Sequence, residues 1–162
     1  MSSLSSEEIA YYESVHCDRQ WRLFNQALGV ELGEGLPDSE LKALFARLGR
    51  RVAQSMPLER CQTVAELEAA MNRAWADMRW GFVRLHEDED RLWLQHHCQP
   101  LVASFGSVSL PWAQSFFEGV YEGWLEAQGS PAALAVSALV PDAAEPTVSP
   151  RIHLQLHRRA DR

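Results

Sequence analysis

The residues best equipped for chemistry in this chain are its histidines and cysteines, and their spacing argues against it. His96, His97 and Cys98 are consecutive, while His153 and His157 share one side of a later alternating segment. A zinc site needs nitrogen and sulfur ligands converging in tetrahedral geometry. Neighbouring residues on a strand face opposite ways, so His96 and His97 cannot both ligate from one regular strand, and His153 and His157 stand about 13 Å apart along theirs. The expectation is polar histidines on a wet sheet face and no metal. The acidic run Glu87 to Asp90 lacks the central glycine and spacing of a calcium loop and reads as a solvated turn. Ser104, Ser107 and Ser109 lie outside any G-x-S-x-G elbow, and nothing brings two carboxylates to a fixed separation across a sugar. No nucleophile–base pair, catalytic residue or cofactor motif can be named, so the chain is not read as an enzyme.

Aromatic residues carry more of the signal. Six tryptophans, Trp21, Trp75, Trp80, Trp93, Trp112 and Trp124, occur in 162 residues. Most belong in a core or a subunit interface, because aromatic rings dominate buried area and interface anchors. An exposed indole can also stack on a sugar ring. Gly119 and Gly123 form a G-x-x-x-G, which in a soluble protein signals close helix packing.

The elements that would position these residues follow from periodicity. Residues 1–6 read as a polar segment expected to be mobile. Glu7 to Leu28 reads as a helix carrying Tyr11, Val15, Trp21, Phe24 and Leu28, ended by the glycines between Gly29 and Gly35. Pro37-Asp38-Ser39 opens a second helix, striped by Leu41, Leu44, Phe45, Leu48 and Val52 and closed at Met56-Pro57. Thr63 with Glu66 matches a capping box at the start of a third helix, which runs through Met78. Gly81 breaks that pattern. Trp80, Phe82 and Arg84 then alternate against Val83 and Leu85, and after the turn at residues 86–90, Leu92, Leu94 and His96 alternate against Trp93 and Gln95. The two runs predict a hairpin. Residues 100–109 read as loop, Pro111 to Gly129 as an aromatic helix, and residues 134–140 as a strand. Residues 141–150 are a proline-punctuated loop, Ile152, Leu154 and Leu156 mark a last strand, and residues 158–162 a basic tail. The fold class expected is α+β: N-terminal helices, then two hairpin-like strand pairs forming an antiparallel sheet, with a helix between the pairs.

A chain of this length fits one domain, residues 1–162. Its formal net charge of -7 and pI near 5.3 exclude a nucleic-acid binder, which needs clustered cations. Cys17, Cys61 and Cys98 are odd in number and unpaired in spacing, which suits a reducing compartment. The first thirty residues lack a basic-then-apolar leader, and no apolar run of about 20 residues could span a bilayer. The expectation is a cytoplasmic protein, reaching any membrane through partners, with the periplasm as the alternative location.

Three blocks carry a family resemblance: Cys61-Gln62-Thr63-Val64, Trp80-Gly81, and Glu118-Gly119-Val120-Tyr121-Glu122-Gly123-Trp124. In this order and spacing they resemble the D-subunit family of bacterial cellulose synthase, over roughly Gly49 to Trp124, with the element order continuing to fit through Arg159. The resemblance implies a non-catalytic accessory subunit forming a ring-like homo-octamer, a tetramer of dimers. It implies the cellulose synthase complex and nascent glucan chains as partners, and a role in lining up synthases so that cellulose is exported and crystallises in order. Trp80, Trp112, Tyr121 and Trp124 are the candidate glucan or oligomer-interface residues. A small-ligand sensory domain with an enclosed apolar pocket is the alternative.

Overall fold

The computed structural model describes residues 17–88, 91–106, 109–139 and 151–159, with the backbone alone at 110 and 113. The N-terminal segment 1–6, the first part of the expected first helix, the loop 141–150 and the last residues of the basic tail lie outside them.

Helix α1 spans Arg19–Gly35 and so passes through the glycines expected to stop it. Gly29 is buried, and a Cβ there would lie 2.9 Å from the carbonyl oxygen of Phe105. That glycine marks a close approach between helices, not a terminus. Helix α2, Asp38–Ser55, begins after Pro37 as expected, with Asp38 and Glu40 in its first turn, where negative charge suits the helix dipole. Its deepest line is Leu41, Phe45, Gly49 and Ala53, while Leu48, expected in the apolar stripe, is 40% exposed. The cause is a backbone-to-backbone crossing described below. Helix α3, Val64–Met78, starts as the capping pattern predicts: Thr63 Oγ1 accepts the Glu66 N–H at 3.1 Å. The Glu66 carboxylate reaches back to the N–H of Gln62 at 2.7 Å, one residue earlier than in the standard box.

Strands β1 (Phe82–Asp88) and β2 (Arg91–His97) form the expected hairpin, in register Phe82↔His97 through Asp88↔Arg91. The first strand is longer than its apolar residues suggest, since His86, Glu87 and Asp88 stay in the ladder; backbone pairing needs no apolar side chain. A short helix α4, Leu101–Phe105, replaces the expected loop. The Gln99 side chain organises it by accepting the Leu101 N–H at 2.7 Å. Helix α5, Leu110–Ala127, has proline in its first turn. Strands β3 (Leu134–Ala138) and β4 (Ile152–Arg158) complete a four-stranded antiparallel sheet of order β1-β2-β4-β3. Arg158 therefore belongs to a strand, and Arg159, expected in a basic tail, is tied down by Glu122 and by the Leu134 carbonyl.

One sheet face is the core face. Val83, Leu94, His96, Val136, Ile152 and Leu154 are each at most 3% exposed and are covered by α3 and α5, with α2 on the far side of α5. At the α2–α5 crossing a Cβ on Gly49 would stand 2.0 Å from the Phe116 carbonyl oxygen, and one on Gly119 would stand 2.0 Å from that of Ala46. The G-x-x-x-G thus packs helices closely, as its spacing predicts.

Both outer strands have their free edges occupied by helix side chains. On β1, the Val83 N–H donates to Asn72 Oδ1 at 2.7 Å and the Val83 carbonyl accepts from Asn72 Nδ2 at 2.9 Å, while the Leu85 N–H reaches Glu68 Oε2 at 2.7 Å. On β3, the N–H groups of Val136 and Ala138 donate to Glu122 Oε1 at 3.0 Å and Glu118 Oε1 at 2.7 Å. Each pair is spaced i, i+4 on its helix, so two neighbouring side chains match two outward-facing amides. Unpaired edge amides are templates for strand addition, and here they are satisfied within the chain.

Candidate functional site

The four residues expected at a glucan or oligomer interface lie mostly inside the chain's own core. Trp112 is 3% exposed, Tyr121 0% and Trp124 1%. Trp112 packs on Phe45 and Phe105, and the Trp124 indole N–H donates to the Met56 carbonyl at 2.9 Å. Trp80 alone keeps part of its ring at the surface; its other face lies parallel to Trp75 and against Phe116. Fully buried rings cannot touch a partner without opening the fold, so Trp112, Tyr121 and Trp124 bear on an interface only through the helices they fix.

Tyr121 is the hub of a buried polar chain. The Trp75 indole N–H donates to its hydroxyl at 3.1 Å, and the hydroxyl lies 2.6 Å from His96 Nδ1. His96 Nε2 stands 2.8 Å from the Trp80 carbonyl oxygen. A carbonyl only accepts, so Nε2 carries the imidazole proton, Nδ1 accepts from the tyrosine, and every polar atom is paired. The wet sheet face expected for all the histidines does not hold for His96. It is 0% exposed, and burial with no compensating carboxylate pushes its pKa down to about 3. Burial likewise drives the Tyr121 hydroxyl well above its ordinary value. Neither group is poised for proton transfer near neutrality. His153 and His157 are exposed as expected.

The family-like blocks resolve into structural duties, residue by residue. The Cys61 N–H donates to Gln128 Oε1 at 2.9 Å, and Gln128 Nε2 donates to the Glu59 carbonyl at 2.9 Å, clasping the end of α5 to the entrance of α3. Gly81 has φ +82°, and a Cβ there would lie 1.9 Å from the His97 carbonyl oxygen, so only glycine fits. Glu118 and Glu122 close the β3 edge, Gly119 admits α2, Gly123 lies against Ala53, and Tyr121 and Trp124 anchor the core. Glu122 also pairs with Arg50 and Arg159, and Arg50 with Glu126. The edge-closing roles of Glu68, Asn72, Glu118 and Glu122 lie beyond the sequence reading. Their signal is nonetheless present: polar residues four apart, facing the sheet from helices that otherwise bury that side.

Cys61 and Cys98 are free and half-buried, and burial raises both thiols, which makes them weak nucleophiles. Among the described residues no three histidine, cysteine or acidic side chains converge on a common point, and no helix is long and apolar enough to cross a membrane. The space beneath the sheet is filled by Trp75, Phe117, Tyr121 and Trp124. A groove of about 390 Å³ between Met56–Glu59 and α3 is open to solvent, with the Glu59–Arg73 ion pair at its rim.

Among the described residues, most of the exposed large apolar side chains lie on α1. Trp21 is 57% exposed, Leu23 62% and Phe24 59%, with Leu28 and Val30 also at the surface. Among the described residues, the helix's contacts with the core run through its later half, where Gly29 meets Phe105 and Leu32 joins the core. Its first half carries exposed apolar side chains interleaved with polar ones.

Comparison with known proteins agrees with the three blocks. The family whose description is the D subunit of cellulose synthase matches residues 7–152. A cellulose synthase operon protein D of Komagataeibacter xylinus is 29% identical over 117 residues, 71% of this chain and 75% of that protein. A namesake from Komagataeibacter sucrofermentans aligns equally well, and another from K. xylinus is 30% identical over 108 residues, 65% and 69% of the two chains. With the matched region running from ahead of α1 into β4, the chain belongs to the D-subunit family of cellulose synthase.

Proposed function

We propose that this chain is a non-catalytic accessory subunit of a bacterial cellulose synthase complex. It self-associates into a ring-like homo-oligomer, an octamer built as a tetramer of dimers. It organises synthase complexes from the cytoplasmic side so that glucan chains are exported and crystallise in ordered bundles. Family membership supports the link to cellulose synthesis. The absence of a catalytic role is supported by the motif residues, most of which are engaged in packing, edge closure or capping. The free, half-buried thiols favour a reducing compartment.

One observation carries the assembly: the apolar first half of α1, whose Trp21, Leu23 and Phe24 side chains face solvent. An apolar patch of this kind tends to be covered by a partner, and soluble homo-oligomers close symmetrically. This supports an interface on α1, with Trp80 as the one earlier candidate that has ring surface left for a neighbour or a glucan chain. Size-exclusion chromatography with light scattering tests it. The native protein is expected to run as a large closed species, and Trp21→Ser with Phe24→Ser to reduce the mass to dimer or monomer with the circular dichroism unchanged. A native protein that stays monomeric at high concentration, or a double variant of full mass, refutes the placement.

A further inference from the structure

The sheet face turned away from the core has a composition unlike the rest of the chain. Four of the six histidines stand on it, His86, His97, His153 and His157, together with Arg84, Arg91 and Arg151. Asp88, beside the hairpin turn, is its one carboxylate among the described residues. This sits on a protein whose formal net charge is -7.

Side chains on this face are ordered rather than splayed. His97 Nε2 lies 3.1 Å from Gln95 Oε1, and Gln95 Nε2 lies 3.3 Å from His153 Nε2. The amide oxygen accepts from His97 and the amide nitrogen donates to His153, so His153 is unprotonated at Nε2 in this arrangement. Phe82 stacks on His97 with centroids 4.6 Å apart, and Arg84 lies over the Phe82 ring while pairing with Glu68 of α3 at the rim. His157 bonds Ser137 at 2.7 Å and the Arg158 carbonyl at 2.8 Å. Burial holds the pKa of His97 below its ordinary value, helped by the charged and titratable groups acting on it: Arg151, Arg84, His153 and His86, all cationic when charged.

We propose that this face is a docking surface for an acidic polypeptide segment of a partner, engaged more tightly as the pH falls from 8 to 6. Charge complementarity selects the partner. Arg84 and His86 on β1, and Arg151 and His153 at β4, are pairs two residues apart. They repeat at about 7 Å, the spacing of alternate side chains on an extended peptide. Histidine is the side chain that gains charge in this pH interval. Each added exposed charge contact is modest, and two or three together amount to roughly tenfold in affinity.

The test is fluorescence anisotropy of a labelled oligoglutamate against the full chain at low salt, with oligoglutamine as the neutral control. Phosphatidylglycerol vesicles are titrated in parallel. Oligoglutamate is expected to bind about tenfold more tightly at pH 6 than at pH 8 and to weaken as salt rises. His86→Gln with His153→Gln, the two exposed histidines of the Arg–His pairs, is expected to lose most of the pH step. No oligoglutamate binding at pH 6, equal affinity at both pH values in the native chain, or capture by vesicles alone overturns the proposal. Light scattering on the same samples reports self-association through α1 separately, so failure of one idea is distinguishable from failure of the other.

Discussion

Acidification should loosen this fold, and His96 should account for a separable share of the loss. In the folded chain its imidazole is neutral, buried, and holds a pKa of about 3, whereas an unfolded histidine titrates near 6.5. Between those values the unfolded chain binds the extra proton, so stability rises with pH across the window, is fully present above about pH 7, and is lost as pH falls. Linkage gives a loss of about 2 kcal/mol at pH 5 relative to pH 8. Carboxylates titrate too, so the quantity to measure is the gap between the native chain and His96→Gln. That variant keeps a donor for the Trp80 carbonyl but removes the acceptor of the Tyr121 hydroxyl and should cost about 2 kcal/mol at pH 8. Urea unfolding followed by tryptophan fluorescence reads the gap, because Trp75 lies edge-on to His96 at 4.9 Å. Protein concentration must be held fixed, since any self-association would stabilise by mass action. The gap should close almost entirely by pH 5. A gap that stays within about 0.5 kcal/mol of its pH 8 value would mean that His96 is protonated without penalty, and the burial argument would fail.

Other outcomes follow from the packing. Gly119→Ala would place a methyl 2.0 Å from the Ala46 carbonyl oxygen and should cost at least about 3 kcal/mol in a thermal or urea melt. Gly33→Ala has nothing within 4 Å and should be neutral or stabilising by up to about 1 kcal/mol. Equal effects at the two sites would contradict the crossing geometry. Glu118→Ala with Glu122→Ala strips the β3 edge of both acceptors and should cost about 2–4 kcal/mol. It should also raise amide exchange selectively at Val136 and Ala138, and uniform exchange across the sheet would refute the edge role.

Much of this architecture is legible from local chemistry. Thr63 and Glu66 announce a helix start because the cap is made within one turn, and Ile152, Leu154 and Leu156 alternate because one face of β4 is buried. Contacts made at long range are not legible. Gly29 looks like a helix stop until Phe105 is seen against it. The segment 101–105 looks like loop because its organiser, Gln99, is a side chain whose amide does a backbone's job. His96 shares composition and neighbourhood with His97, and only the strand register sends one inward to Tyr121 and the other out to solvent. Tyr121 and Trp124 read as sticky surface for the same reason: aromatic content reports burial, and a sequence cannot say whether the burying partner is the same chain or another copy.

The way α1 is moored has a mechanical consequence. From Arg19 to Gly29 the helix runs about 15 Å past its contact with Phe105, so the place where a glycine meets one aromatic residue is a geometric pivot for its start. A tilt of about 10° at that pivot would swing the tip by nearly 3 Å, on the helix length just given. Whatever seats on Trp21 and Phe24 would then be spaced from its neighbours by the bulk of a single side chain far from the contact. A methyl added at position 29 would stand 2.9 Å from the Phe105 carbonyl oxygen, forcing that angle to change at some cost to the stability of the protomer itself.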